Sequence, residues 1–233
     1  MKNFVATHFD RVFSGLKKSK DSLSNVSNNL GYKDRILIKI LNDFGFEKKN
    51  CLDIGPGSGR WINFLKKKTK NIFAVDISDK VIELNKKNCK QIFKIDFENK
   101  RIPLKNSSID LIICFEVLEH LKQPDYFLRE IFRLLKKDSI AVFTMPNILS
   151  FSSRLRVLLG LLPIAIISDP THIKFYRKKE IINIFSKFNI EVRFYSSSFS
   201  LNIFNPKSKI KIPTKGLFSS LDDSLIFTIK KRP

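Results

Sequence analysis

Leu52-Asp53-Ile54-Gly55-Pro56-Gly57-Ser58-Gly59 follows the apolar residue Cys51 and leads into a helical stretch. A strand ending in an acid and running straight into a glycine-rich turn is built for close approach of a ligand. Glycine lets the backbone take the tight turn and come near the bound molecule, while Asp53 offers a carboxylate to a cationic or hydroxyl group. The spacing narrows the ligand. A dinucleotide fingerprint, G-x-G-x-x-G, would place its third glycine at position 60, but Arg60 stands there and the third glycine is Gly59. A nucleoside without a cradled pyrophosphate fits this turn better.

Outward from the turn, short apolar runs at Cys51–Ile54, Ile72–Val75, Gln91–Ile95, Ile109–Phe115 and Ile140–Thr144 alternate with helical stretches at 59–68, 78–88 and 124–136. Lys178–Phe188 reads as a further helix, and Ile190–Tyr195 and Ser224–Ile229 as two further strands. Such alternation predicts an α/β, Rossmann-like fold: a mostly parallel seven-stranded sheet with helices on both faces. The last two strands are joined by a loop carrying Pro206 and Pro213, so the final strand is expected to be antiparallel. Before the turn, Tyr32–Phe44 reads as a helix with Ile36, Leu37, Ile40 and Leu41 on one face and Gly45 as its stop. Phe9, Phe13 and Leu16 form an earlier helical stripe, followed by a Ser/Asn-rich stretch through Asn29. The expected organisation is an N-terminal cap or arm over 1–44 and a main domain over 45–233, with a lid-like insertion at 147–176.

Charge is the loudest compositional signal, with 43 Lys+Arg against 22 Asp+Glu and a formal net charge of +21. Lys dominates the basic set and sits among abundant Ile, Asn and Phe, the mixture that AT-rich coding bias produces, and no basic block is interleaved with a recognition motif. No specific nucleic-acid partner is therefore expected. Cys51, Cys89 and Cys114 are widely spaced and form no CxxC pair, which argues against a disulfide framework and a zinc site and fits a reducing cytoplasm. The first twenty residues lack the apolar core of a signal peptide. The longest uncharged stretch, between Arg156 and Asp169, is broken by Gly160 and Pro163 and falls short of the ~20 residues a spanning helix needs.

Two more acids end the next two apolar runs. Asp76 lies about 20 residues past the glycine turn, where a carboxylate can accept two ribose hydroxyls side by side. Asp96-Phe97 would bring a carboxylate to an adenine amino group and an aromatic ring to the base. With these residues the sequence resembles the class I S-adenosylmethionine-dependent methyltransferases over roughly residues 45–195, and within them the small-molecule branch of methyltransferase types 11, 12 and 23. Ser108 to Leu121, containing Glu116-Val117-Leu118-Glu119-His120, looks like that branch's fourth strand and following turn; Lys137-Asp138-Ser139 replaces its usual Pro-Gly-Gly turn. The resemblance implies S-adenosylmethionine as cofactor, with Asp53, Gly55, Pro56, Gly57, Gly59, Asp76, Ile77, Asp96, Phe97 and Cys114 around it. Ser153 to Arg156 and Asp169 to Tyr176 are similar to branch members acting on bacterial surface glycans or other small metabolites.

Methyl transfer needs an aligned acceptor, exclusion of water and, for a hydroxyl, removal of a proton. His172, His120 and Glu116 are the candidates on the acceptor side, with no metal expected because neither the histidines nor the cysteines have ligand spacing. The insertion is expected to roof the acceptor site, its Leu155, Leu158, Leu159 and Leu162 covering it and Arg154 and Arg156 meeting an anionic acceptor such as a sugar phosphate. The leading expectation is O-methylation of a sugar or surface-glycan precursor. An RNA methyltransferase and a non-catalytic cofactor-binding protein stay open as alternatives, as do a weak membrane-surface contact through Leu155–Ile167 and the oligomeric state.

Overall fold

The computed structural model describes residues 2–14, 30–200, 211–214 and 220–232. Leu16, the Ser/Asn-rich stretch and Pro206 lie outside them. A seven-stranded sheet is built from β1 (Cys51–Ile54), β2 (Ile72–Asp76), β3 (Gln91–Lys94), β4 (Ile109–Phe115), β5 (Leu135–Pro146), β6 (Ile190–Tyr195) and β9 (Ser224–Lys231), in the order β3-β2-β1-β4-β5-β9-β6. β1 to β5 pair in parallel, whereas β9 runs antiparallel to both β5 and β6. β7 (Ser198–Ser200) and β8 (Lys211–Pro213) form a small separate ribbon.

Both faces of the sheet are covered, which is why its central strands are almost wholly apolar. The period of two sorts them: Leu111 and Ile113 pack with α2 (Tyr32–Phe44) and α3 (Arg60–Leu65) on one face, while Ile112 and Cys114 pack with α5 (Pro124–Leu134) and α8 (Lys178–Phe185) on the other. β5 is longer than the apolar run because Lys137-Asp138-Ser139 stays in the strand; Asp138 takes φ 60°, a left-handed conformation suited to glycine.

Two elements stand over the carboxyl ends of the parallel strands. The first is α1 (Lys2–Ser14), which lies against α4 (Asp79–Asn85): Asp10 Oδ1 accepts hydrogen bonds from Ser78 Oγ at 2.5 Å and Lys80 N at 3.1 Å, at the N-terminus of α4. The second is the segment after β5, which holds α6 (Phe151–Leu158) and α7 (Ile164–Ile167). Its leucines do not cover the crevice. Leu158 is 81% and Leu162 60% exposed, and the inward face of α6 is carried by Ser152 and Ser153, hydrogen-bonded to Ser150 and, from Ser152, to Asp223. Arg156 is 8% exposed and donates to Leu162 O at 2.7 Å, Arg154 donates to Leu149 O, and neither lines the cavity described below. The expected meeting of these arginines with an anionic acceptor has no counterpart in the cavity lining.

The glycine turn is locked from behind. Gly59 caps α3 at φ 79°, and a Cβ there would lie 1.9 Å from Asn85 Oδ1. Asn85 is buried and donates to Gly57 O and Val81 O, both at 2.9 Å. Gly59→Ala should therefore lower the unfolding free energy by about 2–4 kcal/mol, combining ~1–2 for a left-handed alanine with ~1–2 for the displaced Asn85 bonds. Urea denaturation measures it; a loss below about 0.5 kcal/mol would show that Asn85 moves aside freely.

Candidate active site

A cavity of about 620 Å³ opens at the carboxyl ends of β1, β2 and β4. Of the ten residues expected around a cofactor, eight line it: Asp53, Gly55, Pro56, Gly57, Asp76, Ile77, Asp96 and Phe97. Gly59 does not, since it faces Asn85. Cys114 does not either. Strand alternation turns its side chain to the face shared with Ile112, into the core under α5, and leaves Phe115 to reach the cavity.

At one end, Gly55 takes φ 69°, and a Cβ there would come within 2.6 Å of Val117 Cγ2. The backbone of the turn thus forms the cavity wall itself. Asp53 is buried, and its Oδ2 has no hydrogen-bond partner among the described residues. Burial, with the Asp76 carboxylate nearby, raises the Asp53 carboxyl well above its ordinary range. Asp76 Oδ1 accepts from Ser78 N at 2.8 Å, and burial pushes this carboxyl up to about 6 against the pull of the Ser78 and Ile77 N–H groups.

The other end is assembled from distant segments. Glu116 sits just past β4 at φ 55°, held by its own N–H on Thr144 O, by the Thr144 hydroxyl at 2.7 Å and by Lys33 Nζ at 3.0 Å. Burial would raise its carboxyl, but Lys33 and Thr144 outweigh it and hold Glu116 below the ordinary value; Lys33 is in turn held above its own. Behind Glu116, the short 3-10 turn Leu118–His120 presents Glu119 and His120. His120 Nδ1 donates to Thr171 O at 3.1 Å and to Thr171 Oγ1 at 2.9 Å, and burial lowers this imidazole below its ordinary value. His172 Nδ1 donates to Ala165 O at 2.6 Å; the two imidazole rings lie 4.9 Å apart. Glu119 is 1% exposed, and burial together with Glu116 raises its carboxyl well above the ordinary value.

His172, His120 and Glu116 therefore line one end of the cavity. The roof is shared: Ser168, Asp169 and His172 from the insertion, and Val5, Phe9 and Phe13 from α1, with His8 Nε2 3.5 Å from Asp169 Oδ1 and Phe9 edge-on to His120. Lys33, Thr144, Asn85 and Glu119 were not singled out by sequence. Their partners lie 28 to 83 residues away for Asn85, Thr144 and Lys33, and no local pattern marks such pairings.

A family model described as a methyltransferase domain matches residues 30–193. A "probable S-adenosylmethionine-dependent methyltransferase" of Mycobacterium tuberculosis is 24% identical over 104 residues, which cover 45% of this chain and 38% of that protein; one from Mycolicibacterium smegmatis is 22% identical over the same length. The match thus spans well under half the length of these relatives. Among solved structures, a SAM-dependent methyltransferase from Thermotoga maritima superposes with a TM-score of 0.64 at 20% identity, covering 87% of this chain and 90% of that one. One from Archaeoglobus fulgidus gives 0.61 at 18%, covering 85% and 94%. At these identities the likeness is one of fold.

S-adenosylmethionine fits the residues present. The unpartnered Asp53 oxygen suits its ammonium, Asp76 its two ribose hydroxyls, and Asp96 with Phe97 its adenine. Asp76→Ala should weaken cofactor binding by about 2–4 kcal/mol in calorimetry, the worth of two charge-assisted hydrogen bonds less what water returns. Only the ionised carboxylate accepts both hydroxyls, so wild-type affinity should fall as the pH drops through about 6; a flat profile from pH 5 to 8 would place the ribose elsewhere. With a mostly parallel sheet closed by an antiparallel strand, a glycine turn flanked by strand-end acids and a family model spanning 30–193, the chain belongs to the methyltransferase-domain family and takes S-adenosylmethionine as its cofactor.

Proposed function

We propose that the chain transfers a methyl group from S-adenosylmethionine to a hydroxyl of a small molecule, with a sugar or surface-glycan precursor as the acceptor class. The observation that carries this reading is the enclosure of the acceptor end, where α1 and residues 168–172 meet over Glu116, His120 and His172. A bulky polymer would have to displace both. The lining supports a hydroxyl-rich acceptor: Asp34, Glu116, Asp169 and His172 offer hydrogen bonds, while the cations present, Lys33 and Arg60, are ion-paired to Glu116 and Asp34. An anionic acceptor is less well served, because Arg154 and Arg156 are engaged elsewhere.

When bound, S-adenosylmethionine supplies an electrophilic methyl on a sulfonium whose departure leaves a neutral thioether. This chain's task is therefore alignment, dryness and loosening of the acceptor proton. Apolar rings from α1 and from Trp61 and Phe115 line the cavity, and apolar walls disfavour water there. Both imidazoles spend their Nδ1–H on backbone carbonyls, which leaves each Nε2 lone pair for chemistry on the acceptor side. His172→Ala should leave cofactor affinity nearly intact and lower turnover by about 10²–10⁴-fold. Full activity in that variant would remove His172 from the site; lost cofactor affinity with normal turnover at saturation would make it part of the nucleoside pocket.

A second reading, methylation of RNA, draws on the charge of +21 and on a 47-residue segment 43% identical to a ribosomal RNA small subunit methyltransferase of Mycoplasma mobile, covering 20% of this chain and 18% of that protein. Under the leading reading RNA binding is weak, indifferent to sequence and steeply lost with salt. Filter binding at two ionic strengths separates the two: RNA-selective binding that survives physiological salt would promote the second.

A further inference from the structure

Lysine is not spread evenly over this chain. It makes up 32 of the 233 residues, so the seventeen residues that lead into β1, β2 and β3, at 45–50, 66–71 and 86–90, would hold two or three by composition alone. They hold nine, with Glu47 as their one acid, already paired to Lys68 at 2.8 Å. Coding bias sets how much lysine there is, not where it gathers. Because β3, β2 and β1 are parallel neighbours, their amino ends open on one edge of the sheet, and the three connections are tied together there. Thr69 Oγ1 donates to Lys49 O and Lys66 Nζ to Asn88 Oδ1, both at 2.9 Å. The exposed ammonium groups of Lys48, Lys67, Lys70, Lys86 and Lys87 meet no hydrogen-bond or ion-pair partner among the described residues. Like charges gathered in this way repel one another and are relieved by a polyanion.

We propose that this amino-end face docks the phosphate backbone of double-stranded RNA without reading its sequence. Lysine ammoniums are mobile point charges that neutralise phosphates and carry no base readout. Adjacent strands lie about 4.8 Å apart, so the three connections spread over about 10 Å before the lysine stems add their reach, a breadth that suits the edge of a duplex. The one aromatic ring in these connections, Phe46, is fully buried, so the unstacked bases of a single strand find no platform. A lipid surface is served less well: firm membrane attachment adds inserted apolar side chains to charge, and none of the exposed large apolar residues lies in these segments. RNA docked here is not a substrate. The cavity opens at the carboxyl ends of the strands, no residue of the three connections lines it, and strands of four and five residues put about 13–17 Å of sheet between the two. The docking face thus goes beyond the proposed small-molecule reaction and does not depend on it.

The test is filter binding of the full chain, without cofactor, to RNA duplexes of about 16 base pairs in two unrelated sequences, titrated with salt. Both should bind alike at low salt. The triple variant Lys67→Ala, Lys70→Ala, Lys87→Ala should weaken binding by about tenfold or more and flatten the log–log salt slope by about 2–3, since each lost phosphate contact takes about one from it. A control that removes the same charge from exposed lysines elsewhere, Lys100→Ala, Lys122→Ala, Lys179→Ala, should shift affinity by less than about threefold. Equal losses in the two triple variants would reduce the effect to net charge and overturn the face; so would failure of either duplex to bind, or tighter binding of single-stranded RNA of the same length. Vesicles of phosphatidylserine and phosphatidylcholine form the other arm: if the face variant loses the vesicles and keeps the RNA, the occupant is lipid and the proposal fails. Thermal unfolding and cofactor titration report whether the variants fold, and should the face triple not, Lys70→Ala alone decides, with a slope change of about 1. Methyl transfer to the docked duplex would overturn the separation of face from cavity, whereas failure to methylate any hydroxyl leaves the docking face standing and sinks only the small-molecule reading.

Discussion

Three parallel strands, β1, β2 and β4, end in one crevice, and each delivers a carboxylate there: Asp53, Asp76 and Glu116. Bringing like charges together out of water is the constraint around which the remaining structure is arranged. For Asp76, a rise from 3.8 to about 6 means that the ionised form costs about 3 kcal/mol at neutral pH relative to the unfolded chain. Its favourable share of stability is complete only below 3.8 and is lost as the pH rises through about 6. Against a total stability of roughly 5–15 kcal/mol for a domain, that is a sizeable fraction. A ligand that supplies an ammonium and two hydroxyls to these carboxylates offsets the cost, so loading the cofactor and stabilising the fold are the same event.

Glu116 meets the same constraint by other means. Its ion pair with Lys33 requires α2 to dock where it does, and its left-handed backbone, costing of order 1 kcal/mol for a residue with a side chain, is fixed by three contacts to Lys33 and Thr144. Strain of this kind at the end of a central strand turns the chain sharply into Leu118–His120 and sets Glu119 and His120 beneath the roof.

The elements that local physics dictates were legible in the sequence. α2, β1, β4 and β6 occupy the stretches their apolar periodicity marks, and the acids that follow apolar runs, Asp53, Asp76 and Asp96, line the cavity. Failures came where long-range contacts decide. A leucine stripe on α6 announces an apolar face but not which side is buried; there a serine network with Asp223 took the inside and left Leu158 and Leu162 in solvent. Cys114 was placed by motif rather than by alternation, which turns it into the core. Lys33 and Thr144 carry no local signature at all.

The two ends of the cavity differ in how they are held, and this bears on how the site can open. The cofactor end is continuous backbone from β1 to α3, braced by Asn85. At the acceptor end, Ile173 N and Lys174 N both donate to Glu119 O at 3.0 Å, so the segment carrying His172 is tied to the turn that carries Glu119 and His120. Displacing that segment while keeping these bonds moves His172 and Glu119 together and preserves their juxtaposition. Among the described residues α1 makes no backbone hydrogen bond to that turn. It is held by Asp10 on the N-terminus of α4, where Ser78 is buried, by the His8–Asp169 contact and by ring contacts of Phe9 and Phe13. The roof is thus joined to the site in two ways: the segment carrying His172 through backbone bonds to the turn beneath it, and α1 through its side chains, with the rings of Phe9 and Phe13 forming its share of the cavity wall.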